Sequence, residues 1–95
     1  MNTELEGWWR KFKSILTKIN TEKEMEIFLD LFLTISETED IARRLMILKA
    51  IFDDEMPQRE MKDKLHVSIG KVSRGSNALK KLDYKTKKRV EALLK

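Results

Sequence analysis

The stretch from Pro57 to Lys80, PQREMKDKLHVSIGKVSRGSNALK, constrains this chain most, because two short helices crossing over a shared core demand apolar residues at fixed places. A first helix from Gln58 to about Lys64 has Pro57 at its entry, where the missing N–H costs nothing, and turns Met61 and Leu65 inward. The chain then turns at His66-Val67-Ser68. Ser68 suits the N-cap of a second helix, Ile69 to Lys80, in which Val72, Gly75 and Leu79 face the core. Met61, Leu65, Val67, Val72 and Gly75 together keep the spacing of a helix-turn-helix, and a generic helical hairpin would not require all of them. Ile69, Gly70, Lys71 and Ser73 are left near the exposed N-terminal end of the second helix, where such a motif meets base edges. His66 holds the turn position usually taken by glycine, and histidine is one of the few other types enriched in left-handed backbone. As the only histidine in a chain without cysteine, it reads as a turn residue rather than a metal ligand or catalytic base. No metal is expected.

The same residues carry a resemblance. QREMKDKL followed by SIGKVSRGSNALK is similar to the reading head of the tryptophan operon repressor family, and RGSNALK is close to diagnostic of it. Upstream, the similarity runs through Arg44 and the LDLFLT segment, Leu29 to Thr34, back to Trp9 and Phe12, so that it covers roughly residues 9 to 90. It implies an all-α, six-helix Trp-repressor-like fold with a helix-turn-helix, built as an intertwined homodimer. Residues 1–95 then form a single helical DNA-binding domain, with 1–56 as dimerisation core, 57–81 as helix-turn-helix and 82–95 as C-terminal helix.

The net charge of +4 hides a division. Residues 1–56 carry 8 Lys/Arg and 12 Asp/Glu, a balance of −4, whereas residues 57–95 carry 12 and 4, a balance of +8. The basic charge therefore sits with the helix-turn-helix. Lys85, Lys87, Lys88, Arg89 and Lys95 read as a solvated basic tail, while Arg59, Lys62 and Lys71 stand where phosphates would be neutralised. A chain of 95 residues makes one small domain that buries little of its surface as a monomer. No apolar run approaches the roughly 20 residues that span a bilayer, and MNTELEG lacks a basic-then-apolar secretory pattern, so a cytoplasmic protein without membrane partners is expected. One proline and three glycines favour helices throughout.

Capping boxes mark the upstream helices. Thr3 with Glu6 opens the first, which carries Trp8 or Trp9, Phe12, Ile15, Leu16 and Ile19 on a packing face; the resemblance selects Trp9 and Phe12. Thr21 with Glu24 opens the second, whose run MEIFLDLFL is apolar nearly all round. Such a helix needs cover on every side, which an interlocked dimer supplies. Ser36 with Glu39 opens a third helix to about Phe52, with Ile41, Leu45, Leu48 and Phe52 along its inner side, widened by Ala42, Met46 and Ala50. Asp53-Asp54-Glu55 reads as its stop, aspartate taking a left-handed cap rather than serving a catalytic carboxylate pair. A last helix, roughly Asp83 to Lys95, presents Val90, Leu93 and Leu94 and closes the reading head against the core.

The resemblance also implies a ligand, L-tryptophan acting as corepressor. Arg44 and Arg74 match the family's arginines that sandwich the indole, where guanidinium planes stack on an aromatic face, and Arg74 is the choice for the carboxylate. Backbone carbonyls at Leu31 and Leu33, with Thr34 beside them, match those that hold the ammonium, partly from the other subunit. Gly75 matches the residue that lets the ligand lie close to the recognition helix. Ala78 stands where some members place a serine that meets the ammonium. Lys71 replaces a smaller polar residue beside both ligand and DNA, and could pair with the carboxylate. On the DNA side, the resemblance assigns base reading to Arg59, phosphate anchoring to Gln58 and Lys62, and groove contacts to Ile69, Gly70, Lys71 and Ser73.

These residues imply a tryptophan-dependent repressor that binds double-stranded palindromic operator DNA as a homodimer and performs no catalysis. Ala78 and Lys71 keep open a relative responding to another ligand or to none. A helical protein-interaction module whose basic half binds an acidic partner is the alternative from another class, and the unbroken QRE…RGSN pattern argues against it.

Overall fold

A computed structural model describes residues 1–53 and 56–95, all helix, turn or extended connection. Six α-helices follow one another: α1 (Thr3–Leu16), α2 (Glu22–Asp30), α3 (Ile35–Asp53), α4 (Gln58–Lys64), α5 (Ile69–Lys80) and α6 (Tyr84–Leu93). The chain divides into two compact units, Met1–Ile35 and Ser36–Lys95. No helix of the described residues is long and apolar enough to cross a membrane.

In the first unit, α1 starts one residue earlier than the Thr3–Glu6 box predicts. Asn2 is the cap: its Oδ1 accepts from the Leu5 N–H at 2.8 Å and its carbonyl accepts from Glu6 N–H at 2.9 Å. Asparagine outranks threonine as a cap, which decides between adjacent candidates. Glu4 and Glu6 then lie in the first turn, where negative charge suits the helix dipole. The Thr21 cap holds as expected, its Oγ1 accepting from Glu24 N–H at 3.2 Å. The apolar run does not stay helical to its end. α2 stops at Asp30, and the Phe32 and Leu33 N–H groups both donate to the Leu29 carbonyl at 3.0 and 2.9 Å, winding the chain into a tight turn.

Aromatic rings tie α1 to α2. Trp9 stacks on Phe12 at 5.6 Å between centroids, and Phe12 meets Phe32 edge-on at 5.0 Å, with Phe28 and Phe32 4.9 Å apart. Such pairs add about 0.5–1.5 kcal/mol each beyond burial. Trp9 and Phe12 thus share the face that the resemblance selects. Yet no residue from Met1 to Ile35 is buried in the chain, and Trp8, Ile27, Leu31 and Phe32 are more than half exposed.

In the second unit, α3 begins at Ile35, so Ser36 is its second residue and not its cap. Thr34 just precedes the helix and is also of a preferred cap type. The inner face agrees with the expected one only towards its end, where Ala50 is buried and Leu48 and Phe52 are half-buried. Ile41 and Leu45 are 51% and 52% exposed and Met46 is also exposed, whereas Ile47 and Ala50 are buried with Ile51 packed beside them. Both faces of α3 carry apolar residues at helical spacing, so periodicity alone cannot say which one the chain covers. Of the acidic stop, Asp53 is the last residue of α3, while Asp54 and Glu55 lie outside the described residues.

The α4–α5 pair follows the sequence closely. Pro57 precedes α4 and its carbonyl accepts from Glu60 N–H at 3.0 Å. His66 has φ 54°, and Val67 N–H reaches back to the Lys62 carbonyl at 3.1 Å, a helix ending in which His66 stands where glycine is usual. Ser68 caps α5, its Oγ accepting from Lys71 N–H at 3.2 Å. Met61, Val67 and Val72 then join Ile47 and Ala50 in one core, with Leu65 and Met56 at its edge. Gly75 is where α5 comes close to α3: a Cβ there would meet Ile47 Cγ2 at 3.2 Å and Leu48 Cδ2 at 3.6 Å. Asp83 caps α6 by accepting from Thr86 N–H at 2.7 Å, and that bond holds its carboxyl below the ordinary value. Val90 and Leu94 are half-buried, but Leu93 stays exposed, unlike its expected role. Ile51 and Phe52 of α3 and Tyr84, Lys87, Lys88 and Glu91 of α6 border a common cavity.

Candidate functional site

The gap that Gly75 keeps between α3 and α5 opens into a cavity of about 250 Å³ lined by Arg44, Ile47, Leu48, Lys71, Arg74, Gly75 and Ala78. Its floor is apolar and its rim cationic. Arg44 of α3 therefore meets Lys71, Arg74, Gly75 and Ala78, which share one face of α5, and all five were singled out in the sequence. Drug-sized ligands occupy roughly 300–1,000 Å³, so this volume suits a molecule no larger than an aromatic amino acid. A flat apolar ring could lie against Ile47 and Leu48, and a carboxylate could pair with a guanidinium at the rim. Leu31, Leu33 and Thr34 belong to the first unit, in the turn between α2 and α3, with Leu33 half-buried and the other two exposed.

Sequence inspection missed Asp40. One of its carboxylate oxygens accepts from Lys71 Nζ at 2.6 Å, and the other pairs with Arg44 Nη2 at 2.9 Å. The hydrogen bond from Lys71, then the charges of Arg44 and of Lys71 itself, hold the carboxyl below its ordinary value, against desolvation that raises it. The other ion pairs of the described residues join positions three or four apart on one helix; Asp40–Lys71 spans α3 to α5. The Asp40–Arg44 spacing looks in the sequence like an ordinary surface pair, and the partner on α5 leaves no sequence signal. Ile47 and Leu48, the floor, were also missed as ligand contacts.

A second surface lies on α4 and the start of α5. Arg59, Lys62 and Ile69 border one shallow depression together with Glu60 and Asp63, so α4 and the start of α5 present one mixed but accessible face. Gly70 is exposed beside it, and Ser73 and Lys71 are half-buried further along α5. The Gln58 amide faces inward instead: Nε2 donates to Ser76 Oγ at 3.0 Å, satisfying a buried hydroxyl. Ser76 had no assigned role in the sequence.

Comparison with known proteins gives the chain's family. The family profile described as Trp repressor protein matches residues 7–94. A Trp operon repressor homolog of Chlamydia trachomatis serovar D is 41% identical over 83 residues, 87% of this chain and 88% of the relative. One from Chlamydia caviae is 42% identical over 82 residues, 86% of this chain and 81% of its own. One from Haemophilus influenzae strain Rd is 36% identical over 75 residues, 79% and 74% of the two chains. With a profile match over nearly its whole length and relatives of which it covers 74–88%, this all-helical chain belongs to the Trp repressor family of transcriptional regulators.

Proposed function

We propose that the chain is a cytoplasmic, tryptophan-dependent repressor that binds a palindromic operator as a homodimer, with L-tryptophan as corepressor. The observation that carries this is the convergence of Arg44, Arg74, Gly75, Ala78 and Lys71 on one apolar-floored cavity directly beneath α5. The indole lies on that floor near Arg44, the carboxylate pairs with Arg74, and the ammonium is held by the carbonyls of Leu31 and Leu33 near Thr34, contributed partly by the partner protomer. A ligand wedged between α3 and α5 fixes the angle at which α5 leaves the core. Two recognition helices must enter successive major grooves about 34–36 Å apart, so that angle governs DNA affinity. Arg59 reads a base, Lys62 anchors phosphate, and Ile69, Gly70, Lys71 and Ser73 face the groove. Gln58 stands one helical turn before Lys62 and anchors phosphate with it; one N–H of its amide is engaged by Ser76, which leaves the second for that contact. No step of this function is catalytic.

DNA selected by the protein from a randomised pool in the presence of L-tryptophan should converge on a two-fold symmetric sequence. Titration of that sequence should give tighter binding at saturating than at zero L-tryptophan, and calorimetry one ligand per protomer. Equal dissociation constants in the two conditions would remove the corepressor and favour a regulator responding to another ligand or to none. Lys71 and Arg44 already engaged by Asp40, and the missing hydroxyl at Ala78, are the features that support that second reading.

A further inference from the structure

Three cations line the α3–α5 cavity: Arg44, Lys71 and Arg74. Left alone, such a rim would welcome any anion of the right size. Asp40 changes this, because its single carboxylate sits 2.6 Å from Lys71 Nζ and 2.9 Å from Arg44 Nη2, leaving Arg74 as the one lining cation with no ion-pair partner among the described residues. We propose that Asp40 is a specificity-determining residue that selects the charge type of the ligand, admitting an aromatic zwitterion and disfavouring the same ring bearing only a carboxylate. This rests on the amino-acid reading above.

Asp40 is not itself a lining residue, but its carboxylate lies within hydrogen-bond reach of two that are, Lys71 and Arg44, so a carboxylate entering to pair with Arg74 meets its repulsion there, partly screened by those two cations. A ligand that also carries an ammonium offsets that repulsion with its own cation. An anion without the ammonium has nothing to offset it with. The discrimination therefore comes from a repulsive element rather than from an added contact, a common way to reject a near-isostere. Asp40 acts through the field at the rim and through its two cationic neighbours.

The test uses L-tryptophan and indole-3-propionate, which shares the ring and carboxylate but lacks the ammonium, titrated calorimetrically into the intact protein and two variants. Asp40→Asn removes the anion, and Lys71→Met removes its main neutralising partner while keeping Asp40. Both break the α3–α5 bridge, so a purely structural role predicts changes in the same direction. Charge selection predicts opposite ones. Indole-3-propionate should bind Asp40→Asn about five- to tenfold more tightly and Lys71→Met more weakly, while L-tryptophan gains less than about threefold in Asp40→Asn. If Asp40→Asn fails to fold, Asp40→Ala is measured in its place. Shifts of the same sign in both variants, or an unchanged ratio of the two ligands in the Asp40 variant, overturn the proposal and leave tryptophan binding standing. Binding of neither ligand to the unaltered protein overturns the amino-acid reading and this one with it.

Discussion

At Gly75 the hydrogen that replaces a side chain faces Ile47, which is only 1% exposed and whose Cγ2 a Cβ would meet at 3.2 Å. Alanine normally stabilises a helix interior by about 1 kcal/mol over glycine, but overpacking a tight contact costs about 1–3 kcal/mol. Gly75→Ala should therefore lower stability in urea by roughly 1 kcal/mol, and should weaken ligand binding by narrowing the cavity from the same side. His66 poses the reverse problem. At φ 54° a β-branched residue is strained, so His66→Val should cost about 1–2 kcal/mol, whereas His66→Gly should be neutral within about 0.5 kcal/mol. Asp40 adds a pH dependence. Its folded value is lowered, so its stabilising pair is complete above the ordinary aspartate value and is lost only as the pH falls through the depressed one. The stability difference between the protein and Asp40→Asn should stay flat from neutrality to about pH 4 and shrink below it.

Among the elements, α4 and α5 act together because Gln58 reaches from the start of one to Ser76 in the middle of the other. Gln58→Ala leaves a buried hydroxyl unpaired, and its main effect should be a loss of about 1–3 kcal/mol in denaturant titrations. Arg59→Ala should instead lose about 1–3 kcal/mol of operator discrimination, while Lys62→Ala should weaken all sequences alike and reduce the salt slope by about one. Equal weakening of operator and random DNA by both variants would show that the two roles are wrongly divided. This pair of helices was also the most legible part of the sequence, since Pro57, Ser68 and the left-handed His66 bracket it with local chemistry that tertiary packing does not override. α3 was less legible. With isoleucine and leucine on both sides, its covered face depends on what packs there, and the Asp40–Lys71 bridge joins residues 31 apart with nothing local to announce it. The cavity residues were named from the resemblance, and only the fold revealed that Ile47 and Leu48 supply the floor beneath them.

For the molecule as a whole, the apolar surface left by one protomer is too large for a comfortable monomer. Ile27, Leu31, Phe32 and Ile35 of the first unit and Ile41 and Leu45 of the second are all more than half exposed, and isolated soluble proteins seldom leave that much uncovered. Sedimentation at low micromolar concentration should show a dimer and no folded monomer. Phe28→Asp or Phe32→Asp should unfold Met1–Ile35 and so abolish pairing, because the aromatic cluster of α1 and α2 has no buried core beneath it, whereas Ser36–Lys95 keeps the one around Ile47 and Val72. A fully folded, monodisperse monomer in either experiment would remove the intertwined dimer from the proposed function.

The absence of any buried residue from Met1 to Ile35 also bears on inheritance. If those residues find their cover only in a second chain, pairing is tied to folding itself and cannot be sorted by the quality of the reading head. A cell making an intact copy alongside one altered at Arg59 would assemble mostly mixed or doubly altered pairs, each lacking at least one working half. Lesions in the reading head should then be genetically dominant, whereas lesions at Phe28 or Phe32, which prevent pairing, should be recessive.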